Sequence, residues 1–400
     1  MTGVQTCALP IWTQTNNGLT ASYGRALTLS PGGHLFIGTS FGIFRSIDNG
    51  DNWTQVNDGL LNTRIWSIAV SSSGAVFAGD GGVHRSMNNG GTWTQVLGGW
   101  NFMGFPALAV NSSGQIFSSG SFDGIFRSPD NGNSWFQVGL TNQHVLSFAI
   151  NSYDHIFAGT ENGVFHSTDN GDNWTQTSLR DVQISTLAIN SGGDIFAGTG
   201  YYASGGIFRS TDDGGSWSEV NTGLTTTEVL CLAINSGGDI FAGTNWDGVF
   251  YSTDNGDNWT QLNDGLTSSA ISSIAITIDD LIFVGGWADG GVHRLSDDMN
   301  TWIPMNDGLT NKRVESLATI PEGFLYAGTK GGGVFRMVSC PDVDNDWICD
   351  EFDNCPNVYN PCQEDFDNDD IGDSCDNCPN DDNEDQTNSD GDSLGDACDI

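Results

Sequence analysis

The sequence predicts an all-β fold built from repeated four-stranded units, followed by a small acidic and cysteine-rich tail. An aromatic residue within short apolar runs such as "IFAGT" recurs every 39 to 45 residues, and a Trp recurs on the same period. Gly, Asn, Asp and Ser separate the runs, which is the chemistry of strands and turns. A shift in composition near Ser339 marks the start of the tail.

The repeat length predicts the architecture. The repeated aromatic is found at Phe36, Phe77, Phe117, Phe157, Phe196, Phe241, Phe283 and Tyr326, and the repeated Trp at Trp12, Trp53, Trp93, Trp135, Trp174, Trp217, Trp259 and Trp302. Each unit contains four short β-rich runs. Four strands in about 40 residues correspond to one blade of a β-propeller.

The two ends of the repeated region complete each other. Seven units are complete, and an eighth, from Arg313 to Val338, has three strands and no closing Trp. The segment "WTQTN" at Trp12–Asn16 reads as a lone fourth strand. Joining the two gives about eight blades, with one blade split between the termini. Such closure removes exposed sheet edges.

Three segments follow from these observations. Residues 1–11, "MTGVQTCALPI", resemble a translated sequencing-library adapter, so we expect that they are not native and that the chain is a fragment. Residues 12–339 form the propeller. Residues 340–400 form the tail, which contains seven of the nine cysteines, 21 of the 50 carboxylates and no Lys or Arg.

The charge excludes some classes of partner. Twelve basic residues against fifty acidic ones give a formal net charge of −38. Nucleic-acid binding is excluded because phosphate contacts need Lys and Arg, and an anionic membrane surface is disfavoured for the same reason. No apolar run approaches the roughly 18 residues of a membrane span, so no membrane insertion is expected in this fragment.

A loop motif recurs between the third and fourth predicted strands of the units. Its copies include "SIDNGDNW", "SPDNGNSW", "STDDGGSW" and, twice, "STDNGDNW". The pattern S-x-D-x-G-x-x-W resembles the Asp-box (BNR) repeat of sialidases, sortilin-type receptors, xyloglucan hydrolases and a photosystem assembly-factor family. The resemblance covers Trp12 to about Val338 and implies an Asp-box β-propeller of the sialidase-like superfamily.

The chemistry of the box favours a structural role. A short acidic side chain can accept hydrogen bonds from the turn, the Gly supplies a positive φ, and the Trp packs on neighbouring strands. Asn88 replaces the Asp in one copy. An Asn can accept the same bonds but is a poor general acid, so we expect the box carboxylates to hold turns.

The face opposite the boxes is the predicted binding surface. In an up-and-down blade, the 1–2 and 3–4 loops lie on one face and the 2–3 and 4–1 loops on the other. The second set contains aromatic candidates for stacking on sugars or anchoring a peptide. They are Trp100, Phe102, Phe122, Tyr201, Tyr202, Trp246 and Trp287. The alternative is that these aromatics cap the blade cores.

We expect no enzyme and assign no catalytic residue. A sialidase needs an arginine cluster for its substrate carboxylate, whereas six of the ten Arg occupy one repeat position, spread round the ring: Arg45, Arg85, Arg127, Arg209, Arg294 and Arg336. The other four, including Arg25 and Arg64, look scattered near 4–1 loops. The alternative is a secreted propeller glycoside hydrolase, which would need a convergent acid pair on the 2–3/4–1 face.

The tail contains acids at fixed offsets that suit calcium. Positions 1, 3, 5, 9 and 12 of three successive loops are occupied by Asp342, Asp344, Asp346, Asp350 and Asp353, then by Asp365, Asp367, Asp369, Asp373 and Asp376, and then, after Asn388, by Asp390, Asp392, Asp396 and Asp399. Alternate residues of a turning loop can converge on one hard cation. The alternative is a solvated, disordered acidic tail.

The tail also resembles thrombospondin type 3 repeats, with "DNCPN" twice and a 23-residue period. Within this resemblance, the 20-residue spacings favour disulfides Cys355–Cys375 and Cys378–Cys398, with Cys340–Cys349 as a third pair. Cys362 falls outside the pattern, and Cys231 is expected to be a buried thiol. A disulfide framework indicates an oxidising compartment.

Together these features predict an extracellular protein, secreted or anchored at the cell surface, that functions in binding or adhesion. The propeller would bind a glycan or protein, and the calcium-bound tail would be a rigid spacer. An intracellular assembly factor is a third possibility, and the calcium-binding tail argues against it.

Overall fold

The structure, a computed structural model, describes residues 12–21, 23–98, 107–120, 122–200, 205–296, 298–320, 324–337, 343, 353–360, 364–391 and 394–399. The described residues form thirty-two strands in eight four-stranded antiparallel sheets. No helix in the described part of the chain has the length and apolarity that a membrane crossing requires.

The sheets follow the predicted units one by one. The strands are β1 (Trp12–Gln14); blade 1, β2 (Gly24–Leu29), β3 (Leu35–Thr39), β4 (Gly42–Ser46) and β5 (Thr54–Gln55); blade 2, β6 (Ser67–Val70), β7 (Val76–Gly79), β8 (Val83–Ser86) and β9 (Thr94–Leu97); blade 3, β10 (Leu108–Val110), β11 (Ile116–Gly120), β12 (Gly124–Ser128) and β13 (Phe136–Gly139); blade 4, β14 (Val145–Ile150), β15 (Ile156–Thr160), β16 (Gly163–Ser167) and β17 (Thr175–Arg180); blade 5, β18 (Ile184–Ile189), β19 (Ile195–Thr199), β20 (Ile207–Ser210) and β21 (Ser218–Glu219); blade 6, β22 (Val229–Ile234), β23 (Ile240–Thr244), β24 (Val249–Ser252) and β25 (Thr260–Leu262); blade 7, β26 (Ile271–Ile276), β27 (Ile282–Gly286), β28 (Gly291–Leu295) and β29 (Trp302–Pro304); and blade 8, β30 (Val314–Thr319), β31 (Leu325–Thr329) and β32 (Gly333–Met337). The predicted eight-bladed propeller is confirmed.

The split blade closes the ring as predicted. Strand β1 pairs with β32 and completes the sheet of blade 8. Just beyond it, the Thr15 amide donates to the Val334 carbonyl at 3.1 Å, and the Val334 amide donates to Asn16 Oδ1 at 2.8 Å. Backbone groups that would form an open edge are therefore paired across more than 300 residues of sequence.

Burial differs from strand to strand. The second strand of every blade is fully buried, as in β15, and the fourth strands are largely exposed, as in β5. The first strands have mostly apolar sequences such as "SFAIN", which favour burial on both faces, but they are only half-buried, as in β14. First strands of adjacent blades contact each other, for example β14 with β18 and β18 with β22. The first strands therefore surround the axis of the ring, and the side of each first strand that faces the axis is not covered by another strand.

The core lies between blades. One cluster combines Phe36, Ile43 and Val56 of blade 1 with Ile65, Val76 and Trp93 of blade 2, all buried. The indole N–H of Trp93 donates to the Val56 carbonyl of the preceding blade at 2.6 Å. Trp259 and Trp302 make the same contact with Val220 and Leu262. These three Trp residues thus both fill the interface and hydrogen-bond across it. The indole nitrogens of Trp53, Trp135, Trp174 and Trp217 are also buried but have no hydrogen-bond partner among the described residues.

The repeated arginines link the blades in the other direction. Arg45 Nη1 donates to the Asn89 carbonyl of the next blade at 2.7 Å. Arg85, Arg127, Arg209 and, across the ring closure, Arg336 donate to the equivalent carbonyls of Asn131, Asn170, Asn255 and Asn49. His166, which replaces Arg in this phase, contacts the Asp213 carbonyl at 3.2 Å. The prediction that these arginines are spread round the ring is confirmed.

The described residues fall into two compact units, one comprising Gln14–Met305 with Thr310–Arg336 and the other containing the tail. In the tail, disulfides join Cys355 to Cys375 and Cys378 to Cys398, as predicted. The 23-residue period is also visible in the backbone, because Gly372 N donates to Asn354 O and Gly395 N to Asn377 O. The third predicted pair, Cys340–Cys349, and Cys362 lie outside the described residues.

Cys231 lies in β22 and differs slightly from expectation. As a residue it is half-buried. Its thiol is nevertheless desolvated, and burial raises the pKa of Cys231 to about 12. The thiol is therefore protonated at physiological pH and unreactive, which agrees with a packing role.

We expect Trp259→Ala to destabilise the propeller by about 3–5 kcal/mol, because it removes a buried aromatic side chain and an interblade hydrogen bond. Trp259→Phe, which retains most of the volume, should cost less. Urea unfolding of the full chain measures both. Phe136→Ala, on an exposed fourth-strand residue, is the control, and an equal loss there would contradict the assignment.

Candidate binding sites

The box carboxylates are engaged in their own turns. In blade 6, Ser252 Oγ donates to Asp254 Oδ1 at 2.8 Å and accepts the buried Gly256 amide at 2.9 Å. Asp254 Oδ1 also accepts the Asn258 amide at 2.9 Å, and its second oxygen accepts the Asn258 side chain at 2.8 Å. Both oxygens of the carboxylate therefore hold the loop closed.

The same pattern recurs round the ring and has an electrostatic signature. Hydrogen bonds from the Asn258 side chain and backbone lower the pKa of Asp254 below its ordinary value. The pKa is lowered by equivalent bonds at Asp48, Asp130, Asp169, Asp212 and Asp298. Asn88 accepts the Thr92 amide at 2.9 Å in the same way. An amide can thus replace the acid, as the sequence predicts for a turn residue.

Two successive residues of the box adopt positive φ. Asn255 has φ 60° and Gly256 has φ 87°. The Gly was predicted from the sequence, whereas the left-handed Asn before it was missed. Its signal is present, since the position holds Asn or Asp in six copies, and these residues tolerate this conformation best after Gly. It is this residue's carbonyl that accepts the arginine of the preceding blade.

On the opposite face, the predicted ligand-binding aromatics are only partly described. Phe122 is 55% exposed and Trp246 is 68% exposed, which favours ligand contact over capping of a blade core. Trp287 is half-buried, with the Arg313 guanidinium 4.7 Å from its ring centroid. Trp100, Phe102, Tyr201 and Tyr202 lie outside the described residues.

A β-bulge marks the start of most first strands, on this same face. The bulged residues are Arg25, Leu146, Ser185, Leu230, Ser272 and Glu315. Trp66 takes this position in blade 2, because its amide donates to the Gly79 carbonyl while Ser67 pairs with Gly79. Bulges commonly re-aim side chains beside functional sites. Here the charged and aromatic ones fall on the consecutive blades 8, 1 and 2.

We define the Trp66 sector as five residues of these three blades: Arg25, Arg64, Trp66, Glu315 and Lys330. The Arg25 guanidinium lies 3.7 Å from the centroid of the Trp66 ring, and that of Arg64 lies 5.9 Å away. Two cavities flank Trp66. One, of about 340 Å³, is lined by Ser40, Asn62, Thr63, Arg64, Trp66, Asp80 and Gly81, and the other, of about 270 Å³, by Tyr23, Gly24, Arg25, Trp66, Glu315 and Lys330.

The Trp66 sector was missed at the sequence level, where Arg25, Arg64 and Arg313 looked scattered. Their shared signal is that each lies outside the repeated arginine phase, beside the start of a first strand. Arg25 and Glu315 are separated by 290 positions and line the same cavity only because blade 8 closes on blade 1.

In the tail, the second predicted calcium loop converges. Carboxylate oxygens of Asp365, Asp367 and Asp369 lie within 4.8 Å of one another. Asp365 accepts the Asn368 and Asp370 amides at 2.7 and 3.1 Å, so its carboxylate shapes the turn. Asp369 is buried and accepts the Ile371 and Asn383 amides.

Asp367 stands at the centre of this group. Both of its carboxylate oxygens are buried and have no hydrogen-bond partner among the described residues. Burial and the nearby Asp369, Asp376 and Asp365 carboxylates raise the pKa of Asp367. A buried carboxylate surrounded by others is stable only if it is protonated or faces a cation. This donor set, hard oxygens on alternate residues, fits calcium.

Some of the remaining predicted calcium ligands accept backbone amides, and others lie outside the described residues. Asp373 accepts the Phe366 amide, Asp376 the Cys378 amide, Asp353 the Cys355 amide and Asp396 the Ser389 amide, each through Oδ1. Asp390 and Asp399 are described but are not part of the convergent group. Asp342, Asp344, Asp346, Asp350 and Asp392 lie outside the described residues.

No protein-family model and no curated protein matches the chain. Solved structures do match. The computationally designed protein Ika8 aligns with a TM-score of 0.62 and 16% identity, over 82% of this chain and 100% of that one. YCF48 bound to D1 peptide aligns with a TM-score of 0.53 and 13% identity, over 83% and 98%. The GH74 xyloglucanase from Xanthomonas campestris aligns with a TM-score of 0.53 and 19% identity, over 79% and 59%.

At these identities the similarity shows the fold alone. It supports a β-propeller. The Asp-box and thrombospondin type 3 resemblances rest on the motifs and geometry of the chain itself.

We expect Ser252→Ala to destabilise the propeller by about 1–3 kcal/mol, because the buried Gly256 amide loses its acceptor. Ser191→Ala, in an exposed turn, removes the same hydroxyl and should change stability by less than about 0.5 kcal/mol. Chemical denaturation of both variants measures the difference. Equal effects would show that the box hydroxyl is dispensable.

Acid should weaken the propeller through the box aspartates. Because folding lowers their pKa values, their stabilisation is complete above the ordinary aspartate pKa, near 4, and disappears as pH falls through the lowered values. We expect a melting temperature that is nearly constant above about pH 5 and falls below about pH 4. Asp212→Asn should retain the neutral-pH melting temperature and reduce the slope in acid, whereas Asp212→Ala should lower it already at pH 7. A slope unchanged by Asp212→Asn would contradict this account.

Proposed function

We propose that this protein is an extracellular or cell-surface binding protein whose propeller takes a glycan or protein ligand on the 2–3/4–1 face. The observation that carries the proposal is the difference between the two faces. The box carboxylates on one face are used by their turns. The other face has exposed aromatics, at Phe122 and Trp246, and two cavities beside Trp66.

A structure of similar fold supports ligand capture by such a ring, since YCF48 was solved with a peptide bound. The alternative remains a glycoside hydrolase, a class that the xyloglucanase represents. Two carboxylates line the cavities, Asp80 and Glu315, but they lie in different cavities on either side of Trp66. Asp80 contacts His84 at 3.2 Å and Glu315 contacts Arg313 at 3.4 Å. These pairings favour binding over acid–base chemistry.

We further propose that the tail binds calcium as part of a rigid spacer. The buried oxygens of Asp367, which have no hydrogen-bond partner among the described residues, carry this proposal, because a divalent cation would supply a compensating positive charge. Asp365, Asp367 and Asp369 would hold the ion, and Asp373 and Asp376 complete the predicted loop. The two disulfides support an oxidising, extracellular setting, where such tails are stable.

Trp246→Ala should weaken ligand binding by about tenfold or more, as truncation of an exposed aromatic anchor usually does. The measurement is capture of the full chain on arrays of neutral glycans, acidic glycans and peptides. Tyr153→Ala is the matched control. Tyr153 is 78% exposed but lies in a 1–2 loop, on the Asp-box face, so its loss should leave capture unchanged. If Tyr153→Ala reduced capture and Trp246→Ala did not, the ligand would bind on the Asp-box face, and the proposal would be wrong.

Calcium should bind to the wild-type chain and bind more weakly to Asp367→Asn. Isothermal titration with calcium chloride measures affinity, and resistance of the tail to protease with calcium or chelator measures ordering. Asp382→Asn removes an exposed acid of the same tail and is the charge-matched control. Equal calcium affinity in the wild type and both variants would refute the assigned site.

A further inference from the structure

We propose that the Trp66 sector binds the carboxylate of an acidic peptide segment, with apolar side chains of the same segment on the surrounding rim. The proposal rests on the proposed function for the choice of face and adds the site and the ligand chemistry.

The distribution of cationic side chains is the first argument. Of the twelve Lys and Arg residues, six occupy the repeated arginine phase. The other six are Arg25, Arg64, Arg180, Lys312, Arg313 and Lys330. All but Arg180 lie in strand starts or loops of blades 8, 1 and 2 on one face. In a chain of net charge −38, such a concentration creates a local field opposite to that of the rest of the molecule.

The geometry of Arg25 is the second argument. Its guanidinium is stacked on Trp66, which fixes its plane, and its Nη1 is buried without a hydrogen-bond partner among the described residues. It lines the 270 Å³ cavity together with Lys330. A buried donor without a partner is costly, and a planar guanidinium matches a carboxylate with two parallel hydrogen bonds. A carboxylate of the ligand would provide a hydrogen-bond acceptor for Arg25 Nη1.

The carboxylates already present leave room for one more. Glu315 lines the same cavity and contacts Arg313 Nε at 3.4 Å. Asp80, in the second cavity beside Arg64, is buried and contacts His84. Arg25, Arg64 and Lys330 thus line cavities that hold two resident acids, and each acid already contacts a partner. The balance of charge in the sector remains positive.

The surroundings favour a peptide over other anions. The face of Trp66 nearest Arg25 is covered by the guanidinium, so a sugar ring cannot stack there. A long polyanion would be repelled by the strongly negative chain beyond the sector. Phe41 and Leu61 are exposed on the loops that also supply Ser40 and Asn62 to the larger cavity. They suit a segment in which apolar residues flank an acid.

The test uses the full chain with calcium and two fluorescein-labelled peptides of identical sequence, rich in Leu and Phe, with central Asp residues in one and Asn in the other. Fluorescence anisotropy measures affinity. We expect the Asp peptide to bind and the Asn peptide to bind at least tenfold more weakly. Arg25→Gln and Arg64→Gln should each weaken binding of the Asp peptide by about ten- to a hundredfold.

Arg180→Gln is the matched control. Arg180 is the last residue of the fourth strand of blade 4, so it lies on the same face as Arg25 and Arg64 but outside the Trp66 sector. It should leave affinity unchanged. Arg25→Lys retains the charge but not the planar fork, so partial rescue is expected. Unchanged melting temperatures in the Gln variants show that the fold is intact, since Arg25 Nη1 makes no hydrogen bond with the described residues.

The outcomes distinguish the carboxylate site from the broader proposal that the 2–3/4–1 face binds a ligand. Equal binding of both peptides, with dependence on Trp246 but not on Arg25, would retain the binding face and overturn the carboxylate site. Binding of oligogalacturonate, with neither peptide bound and with loss in Arg25→Gln, would retain the anion site and overturn the peptide. Binding of none of these probes would overturn the proposal.

Discussion

One contact recurs at five interfaces of the described ring and links each third strand to the next blade: an arginine donates a hydrogen bond to the carbonyl of the left-handed residue in the neighbouring box. Arg45 makes it to Asn89, and Arg336 makes it to Asn49 across the ring closure. The carbonyl can accept this bond only because the turn holds that residue at positive φ. The Ser and Asp of the box maintain the turn, so the acids act on the interface between blades through the backbone.

This dependence explains why one short motif is repeated so faithfully. A propeller blade cannot bury its faces alone, and most interfaces use the same turn, Trp and arginine to pair with the neighbouring blade. His166 and Tyr251 replace the arginine in blades 4 and 6. The box in blade 7 tests the rule. It lacks the Gly, and Met299 rather than Asn or Asp has the positive φ there. Asp298 still accepts the Asn300 amide at 3.2 Å, and Trp302 still donates its indole N–H to Leu262 at 2.8 Å, so the corner is maintained without the Gly.

The sequence predicted what repeats and missed what does not. The period of the aromatics is enough to predict eight blades, the split blade and the face that carries the boxes, because each follows from counting. The half-exposed first strands were not predictable, since their open side depends on the axis of the closed ring. Arg25, Arg64 and Arg313 were not grouped, because sequence distance hides neighbours joined by closure. In the tail, fixed offsets predicted the convergence of Asp365, Asp367 and Asp369, whereas the isolation of Asp367 required coordinates.

The chain uses the same residue types for two purposes, and the hydrogen bonds tell them apart. Box carboxylates use their oxygens in their own turns, and the repeat-phase guanidinium groups of Arg45, Arg127 and Arg336 donate Nη1 to the next blade. The Nε atoms of these three arginines are buried without a hydrogen-bond partner among the described residues. Asp367 in the tail and Arg25 in the propeller are half-buried. The carboxylate oxygens of Asp367 and Nη1 of Arg25 are fully buried and have no hydrogen-bond partner among the described residues. A folded chain tolerates such groups at a cost in stability, which a ligand of opposite charge removes.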